Sequence, residues 1–287
     1  MESEAPALHR ALVSMWARMY EAIGGARFEP RSDLLVAVCP AFPIPQCNGP
    51  WVVEDSPAAA AALPAAIAEV EAAGAWPWVQ SRSWQHRAQA AARELGLTHI
   101  ERVPGMVVCP GELSEVDVEL EVAPIADEEI GDAVAVLSVS FDAPEELFAR
   151  FSAALQTIPE ATWYVGRVDG MTVSTALGFT IDGATGIFNV ATPPEHRGRG
   201  YGTALTARAA RDGFETGSEF AFLQSSEIGH TVYRQLKFRD VEEYVLLARP
   251  SCLCGGRRVV PGVDAPRRAR LLRSAPSGCE RASFVLA

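Results

Sequence analysis

Between an apolar run, Gly186 to Thr192, and an amphipathic helical pattern, Gly202 to Glu215, lies Pro194-Glu195-His196-Arg197-Gly198-Arg199-Gly200-Tyr201-Gly202-Thr203-Ala204-Leu205. A glycine-rich loop that joins a strand to a helix constrains the fold around it. Glycines at alternate positions let the backbone take positive φ and approach a ligand closely, while the unbonded N–H groups of the helix's first turn point outward with the positive end of its dipole. That combination suits a diphosphate, and Arg197 and Arg199 add charge that phosphate oxygens accept as forked hydrogen bonds. A nucleotide P-loop needs Gly-Lys followed by Ser or Thr, which this segment lacks. A dinucleotide fingerprint counted from Gly198 and Gly200 needs its third glycine at the position of Thr203, and the glycine stands at Gly202 instead. A turn whose glycines serve only helix packing leaves the two arginines among them unexplained.

The rest of the chain alternates strands and helices. The first half reads as a helix from His9 to Ile23, strands Leu34 to Val38 and Trp51 to Val53, a helix from about Ala58 to Ala73 stopped by Gly74, a strand Trp78 to Gln80, a helix Gln85 to Leu95, and two short strands, His99 to Arg102 and Met106 to Cys109. Turn formers in Cys109-Pro110-Gly111-Glu112-Leu113-Ser114 mark a domain boundary. Beyond it Val116, Val118, Leu120 and Val122 alternate with acids as a strand, and Asp127 to Leu155 is helical in two pieces broken at Pro144. Thr162 to Val168 and Met171 to Ile181 form a hairpin about Asp169-Gly170. After the glycine-rich loop and its helix come a strand Phe220 to Gln224, a helix Gly229 to Leu236 and a strand Val241 to Leu247. The expected domains are 1–113, 116–250 and a tail, 251–287. A faint repeat links Trp78-Val79-Gln80-Ser81 to Phe222-Leu223-Gln224-Ser225, each followed by a helix, which suggests that the first half is a decayed copy of the second.

Composition excludes several function classes. With 25 Lys+Arg against 36 Asp+Glu in 287 residues the net charge is -11, so the average surface repels a polyanion and nucleic acid is not an expected partner. The tail beyond Pro250 runs the other way, with seven arginines, and reads as basic and disordered. The longest nearly charge-free stretch, Ser56 to Ala68, is too short to span a bilayer, and Met1-Glu2-Ser3-Glu4 lacks the basic start of a signal peptide, so the expectation is a cytoplasmic protein with no membrane partner. Six thinly spread cysteines imply reduced thiols, and Cys252-Leu253-Cys254 has the wrong spacing for zinc, so no metal is expected.

Arg197-x-x-Gly200-x-Gly202, preceded by Val190-Ala191-Thr192-Pro193-Pro194, resembles the signature of the GNAT family of acyl-CoA-dependent N-acyltransferases. The resemblance extends over Val116 to Pro250. It implies an α/β (α+β) fold, a GNAT-like mixed and mostly antiparallel sheet flanked by helices; with the repeat, that becomes two tandem GNAT-like domains. It also implies that acetyl-CoA is the acyl donor, its pyrophosphate held by the amides of Gly198, Arg199, Gly200, Tyr201, Gly202 and Thr203, and that the edge formed by Val190, Ala191 and Thr192 pairs with the pantetheine arm and polarises the thioester. Pro193 has no N–H, so the strand is expected to part from its neighbour just beyond Thr192 and open a cleft. Amides of Ala191 or Thr192 would there act as oxyanion donors, a contact whose removal costs roughly 2.7 to 4 kcal/mol in other enzymes.

Ser225-Ser226-Glu227-Ile228-Gly229-His230-Thr231-Val232-Tyr233 and the five residues after it are similar to the family's segment that carries a general acid, and Tyr233 falls on that acid. Ser226 stands where the family has an Asn that contacts the coenzyme, and Gly229 where it has Ala. A tyrosine at this spacing also suits the core face of an amphipathic helix. Asp142, Asp182, Glu227 and a water relay are the alternatives for the base that deprotonates the amine. The first half carries Glu54-Asp55-Ser56-Pro57 where the second has its phosphate loop, and those acids would repel a diphosphate. Trp76, Trp78 and Trp84 either line an acceptor pocket there or fill the core. The expected function is transfer of an acetyl group to an amine of a small molecule or peptide; the alternative is a non-catalytic acyl-CoA-binding regulatory protein.

Overall fold

A computed structural model describes residues 4–250, so the expected tail and the Cys252–Cys254 pair lie outside the described residues. The first half runs α1 (Glu4–Ala22), β1 (Arg27–Arg31), β2 (Leu34–Val38), β3 (Gly49–Val52), α2 (Pro57–Ala72), β4 (Trp78–Arg82), α3 (His86–Glu94) and β5 (His99–Val108). The second runs β6 (Glu121–Pro124), α4 (Ile130–Phe141), α5 (Glu145–Leu155), β7 (Ala161–Val168), β8 (Met171–Ile181), β9 (Ala184–Ala191), α6 (Tyr201–Glu215), β10 (Phe220–Gln224), α7 (Glu227–Gln235) and β11 (Arg239–Ala248).

Local chemistry explains the element ends. Ser56 caps α2, its Oγ accepting from the Ala59 amide at 3.0 Å, with Pro57 in the first helical position. Helix α4 stops at Asp142, which takes the left-handed conformation at φ 48°. Asp169 and Gly170, at φ 51° and 77°, form the tight turn of the β7–β8 hairpin.

The eleven strands of the described residues join in one sheet, ordered β1-β2-β3-β4-β11-β5-β10-β9-β8-β7-β6. Only β3–β4 and β9–β10 are parallel; every other neighbouring pair is antiparallel. The sheet reads the same from either end of its first ten positions: hairpin strands, a parallel neighbour, then a strand from the other half. Strand β11 lies between β4 and β5, and β5 lies between β11 and β10, so each half completes its sheet with the last strand of the other. The two halves are topological copies with exchanged final strands.

Alternation along each strand divides the core between two faces. Val103 and Val107 of β5, with Tyr244 and Leu246 of β11, meet α1, α4 and α5 on one face. On the other, Val245 and Leu247 pack with α2 and α3, while Met106 and Val108 pack with α6 and α7. Fully buried Phe179 and Phe222 each contribute about 1.5–3 kcal/mol by burial.

The structure corrects three local expectations. His99 to Val108 is one strand, because Pro104 and Gly105 stay in register with Glu243 and Glu242, and the irregularity falls on β11 between Asp240 and Glu242. The alternating segment from Val116 forms a strand only over Glu121–Pro124. Its apolar side chains pack on the second half instead: Leu120 fills the space over Gly166, and Val118 lies against Gly200. Strand β1, with its mostly exposed Arg-Phe-Glu-Pro-Arg, has no apolar run to announce it and is held by pairing with β2.

Candidate active site

Strands β9 and β10 pair only from Ala184–Phe220 to Gly186–Phe222 and then separate. The cleft therefore opens at Ile187, before Pro193, which corrects the expectation that the proline causes the parting. At the fork, Gly186 has no room for a Cβ, which would collide with the ring of Phe188 and lie 2.9 Å from that of Phe222. The two rings sit edge to face at 6.0 Å. Just beyond, β9 bulges: Leu177 pairs with Phe188 and Thr175 with Ala191, so Asn189 and Val190 stand opposite Ala176 alone. Asn189 takes φ 52°, and its buried Oδ1 accepts no hydrogen bond. The bulge turns the Val190–Ala191 edge away from β10 and leaves it unpaired on that side. Ser174 fixes the strand's end, donating to the Ala191 carbonyl at 2.8 Å with the Thr192 hydroxyl also at 2.8 Å.

The glycine-rich loop then reverses the chain into α6. Gly198 and Gly200 take φ 76° and 80°. Gly202 is helical, which corrects the reading of three left-handed glycines; its role is close approach, with the Val190 side chain 3.4 Å from where a Cβ would sit. The first helical hydrogen bond here runs from the Ala204 amide to the Gly200 carbonyl at 3.0 Å. Among the described residues the amides of 198–203 donate to no protein acceptor. They form a cradle of free donors at the positive end of a 15-residue helix. Arg197 turns inward: its Nε donates to the Thr192 carbonyl at 2.9 Å and its guanidinium reaches the Ser140 carbonyl at 3.4 Å. That arginine braces the loop against the ends of β9 and α4. Arg199 is exposed and forms no ion pair among the described residues, so its charge is free for a ligand.

On the other wall of the cleft Ser226 caps α7, its Oγ accepting from the Gly229 amide at 3.1 Å. Tyr233 is 3% exposed, and its ring folds back over Gly229, where an alanine Cβ would stand 2.7 Å from Cε2. That contact accounts for the glycine. Burial pushes the Tyr233 phenol up from its ordinary pKa, so it stays protonated at neutral pH. Of the base alternatives, Asp182 occupies the β8–β9 turn at the far end of β9 from the loop, and Asp142 and Glu227 are exposed at the end of α4 and the start of α7. His230 bonds Asp240 on the surface at 2.8 Å.

In the first half the equivalent fork is filled. Its parallel pair meets at Trp51–Gln80, and the fork beyond is plugged by Gln85. The Gln85 Nε2 donates to the Val52 and Val53 carbonyls at 3.2 and 3.1 Å, while its Oε1 accepts from the Arg82 amide at 2.8 Å. Asp55 accepts from the Arg87 and Ala88 amides at the start of α3, and Ser56 occupies the start of α2. Donors that are free in the second half are satisfied here. Trp78 is buried in the core and Trp84 is 47% exposed.

Residues 121–239 match the family model described as an acetyltransferase (GNAT) domain. The second half of this chain is thus similar to GNAT acetyltransferase domains, a family that takes acetyl-CoA as cosubstrate. The fold is similar to that of a GCN5-related N-acetyltransferase from Kribbella flavida, with a TM-score of 0.65 at 23% identity over 86% of this chain and 95% of that one. It is also similar to a GCN5-related N-acetyltransferase from Sphaerobacter thermophilus, with a TM-score of 0.58 at 16% identity over 83% of this chain and 90% of that one. No curated protein sequence is significantly similar to it. Among the described residues no helix is long and apolar enough to cross a membrane, and no group of three or more His, Cys, Asp or Glu side chains is placed to hold a metal ion. Asn189, Val118 and the Gln85 plug escaped the sequence reading, because each acts through a contact distant in sequence.

Proposed function

We propose that the protein transfers an acetyl group from acetyl-CoA to a primary amine of a small molecule or peptide by direct attack. The observation that carries this reading is the alignment of the fork between β9 and β10 with the six free amides of residues 198–203. The thioester supplies the activated acyl carbon. Those amides and the Arg199 guanidinium hold the diphosphate, Arg197 keeps the loop in shape, and Ser226 lines the opposite wall. The unpaired edge of Val190, Ala191 and Thr192 aligns the pantetheine arm and donates to the carbonyl oxygen as negative charge develops on it. The neutral amine attacks the carbonyl carbon, its surplus proton passes to a water relay as the C–S bond breaks, and Tyr233 gives its proton to the departing sulfur and regains one from that relay.

Isothermal titration with acetyl-CoA tests the reading. One site per chain is expected, since the first half's fork is filled. Arg199→Glu, on an exposed side chain with no partner to lose, is expected to weaken binding at least about tenfold at low salt. Two sites, or an affinity indifferent to the charge reversal, would contradict the assignment of the loop.

A further inference from the structure

Arg82 ends β4 on the face that meets α1, and its surroundings leave a cation unanswered. Every other half-buried arginine among the described residues bonds a carboxylate, as Arg167 does with Glu129 at 2.9 Å and Arg208 with Asp212 at 2.7 Å. Arg82 is half-buried and its guanidinium makes no ion pair or hydrogen bond among the described residues, while its Nε is out of contact with solvent. Its two Nη groups reach solvent, so the cost falls on the Nε edge, a buried donor without an acceptor. The one contact that favours it is Trp84, whose ring lies 4.5 Å from the guanidinium carbon; such a stack contributes less than a charge-assisted pair and leaves the fork's edge open.

A second orphan donor belongs to the same strand. Gln80, two residues earlier and so on the same face of β4, is 4% exposed, and its Nε2 has no acceptor. Across the strand pair Arg82 lies in register with Tyr244, whose hydroxyl is 3.3 Å from His9 Nδ1, and the positive charge of Arg82 is felt by both rings. Glu242 is near enough to Tyr244 to act on it electrostatically but makes no ion pair with Arg82, and its Oε1 accepts from the Glu243 amide. The unsatisfied groups at the end of β4 are donors, and the ligand that satisfies donors around a cation is an oxyanion.

We propose that Arg82, with Gln80 and Trp84, forms a binding site for a small oxyanion, a carboxylate or a phosphate, at the junction where β4 of one half meets β11 of the other. The site is independent of the acyl-donor cleft and of the transferase reading. An anion there takes the open edge of the guanidinium, and Trp84 walls the site toward solvent. Because His9 belongs to α1, Arg82 to β4 and Tyr244 to β11, occupancy ties the first helix to the exchanged strands.

The test is titration of the full chain, its acyl-donor cleft first saturated with coenzyme A, in low-salt buffer with sodium benzoate and with inorganic phosphate as separate probes, followed by calorimetry. One site per chain with a Kd in the millimolar range or tighter is expected for at least one probe, weakened about tenfold or more in Arg82→Gln. Benzoate alone identifies a carboxylate, phosphate alone a phosphoryl group. The thermal midpoint of Arg82→Gln is expected to match or exceed that of the parent, since the substitution removes an unsatisfied buried group. No heat from either probe up to about 10 mM, or unchanged binding in Arg82→Gln, overturns the proposal. So does a substitution that lowers the midpoint while no probe binds the parent, because the arginine then serves only the fold. Acetyl-CoA titrated in parallel reports on the other cleft, so failure of one reading is separable from failure of the other.

Discussion

Tyr233 shows what burial does to a proton donor. An ordinary phenol near pKa 10 is already about 1.5 units too weak an acid to protonate a thiolate whose thiol titrates near 8.5, roughly 2 kcal/mol uphill. Burial pushes the phenol further up, so the transfer is feasible only as the C–S bond breaks. Tyr233→Phe is therefore expected to lower kcat by about 10²- to 10⁴-fold and to leave acetyl-CoA affinity unchanged, measured by steady-state kinetics beside calorimetry. Full turnover in that variant would remove Tyr233 from the chemistry. His9 illustrates the opposite sign. Burial, helped by the charge of Arg82, lowers its pKa from 6.5 to about 4. The unfolded chain then binds a proton that the folded chain refuses, so stability falls as pH drops below about 6.5 and the loss is complete below about 4. The ceiling is about 3 kcal/mol, less because the ring is partly exposed. Urea unfolding at neutral pH and near pH 4.5 is expected to show a smaller acid loss in His9→Gln, which keeps an acceptor for the Tyr244 hydroxyl.

At the scale of elements, one fork is open and its counterpart shut, and Gln85 accounts for the difference. Replacing it with the similarly sized leucine strands the Val52 and Val53 carbonyls and the Arg82 amide, a cost of about 2–4 kcal/mol in urea unfolding. The same variant is expected to gain no second acetyl-CoA site, since Asp55 and Ser56 still occupy the helix starts; a stoichiometry of two per chain would refute this account of the silent half. These elements also show how far the sequence was legible. The strand, glycine loop and helix around Gly200 were readable because the signal is contiguous: φ-permissive glycines, apolar periodicity and a cap. The alternation through Val116, Val118 and Leu120 misled because a period of two reports which side chains are covered, and Gly200 and Gly166 cover Val118 and Leu120 without a ladder. The position of the fork was missed for a related reason. Pro193 is visible as a missing donor, whereas the bulge at Asn189 depends on how β9 meets β8 and on two aromatic rings packed over Gly186.

For the whole molecule the exchange of final strands decides what can fold. Strand β5 pairs along its length with β11 and near its end with β10, so the second half is held at its centre by a strand encoded before residue 109. The first half likewise depends on β11, five of whose residues pair with β4. Either half alone would expose long unpaired edges on both sides of the missing strand, together with the apolar faces of Val103, Val107, Tyr244 and Leu246. Fragments 1–113 and 116–250 are therefore expected to be insoluble or unfolded when produced singly, and to form a one-to-one complex with native-like circular dichroism when produced together. The complex is expected to bind one acetyl-CoA, because the fork and the loop lie entirely within the second fragment while the strand beside β10 comes from the first. Cooperative unfolding of fragment 116–250 alone, with a sharp transition and acetyl-CoA affinity equal to that of the intact chain, would show that the exchanged strand is dispensable. The intact chain, by the same pairing, is expected to unfold in a single urea transition whose midpoint is the same whether read from Trp fluorescence or from circular dichroism, since neither half can open without withdrawing a strand from the other.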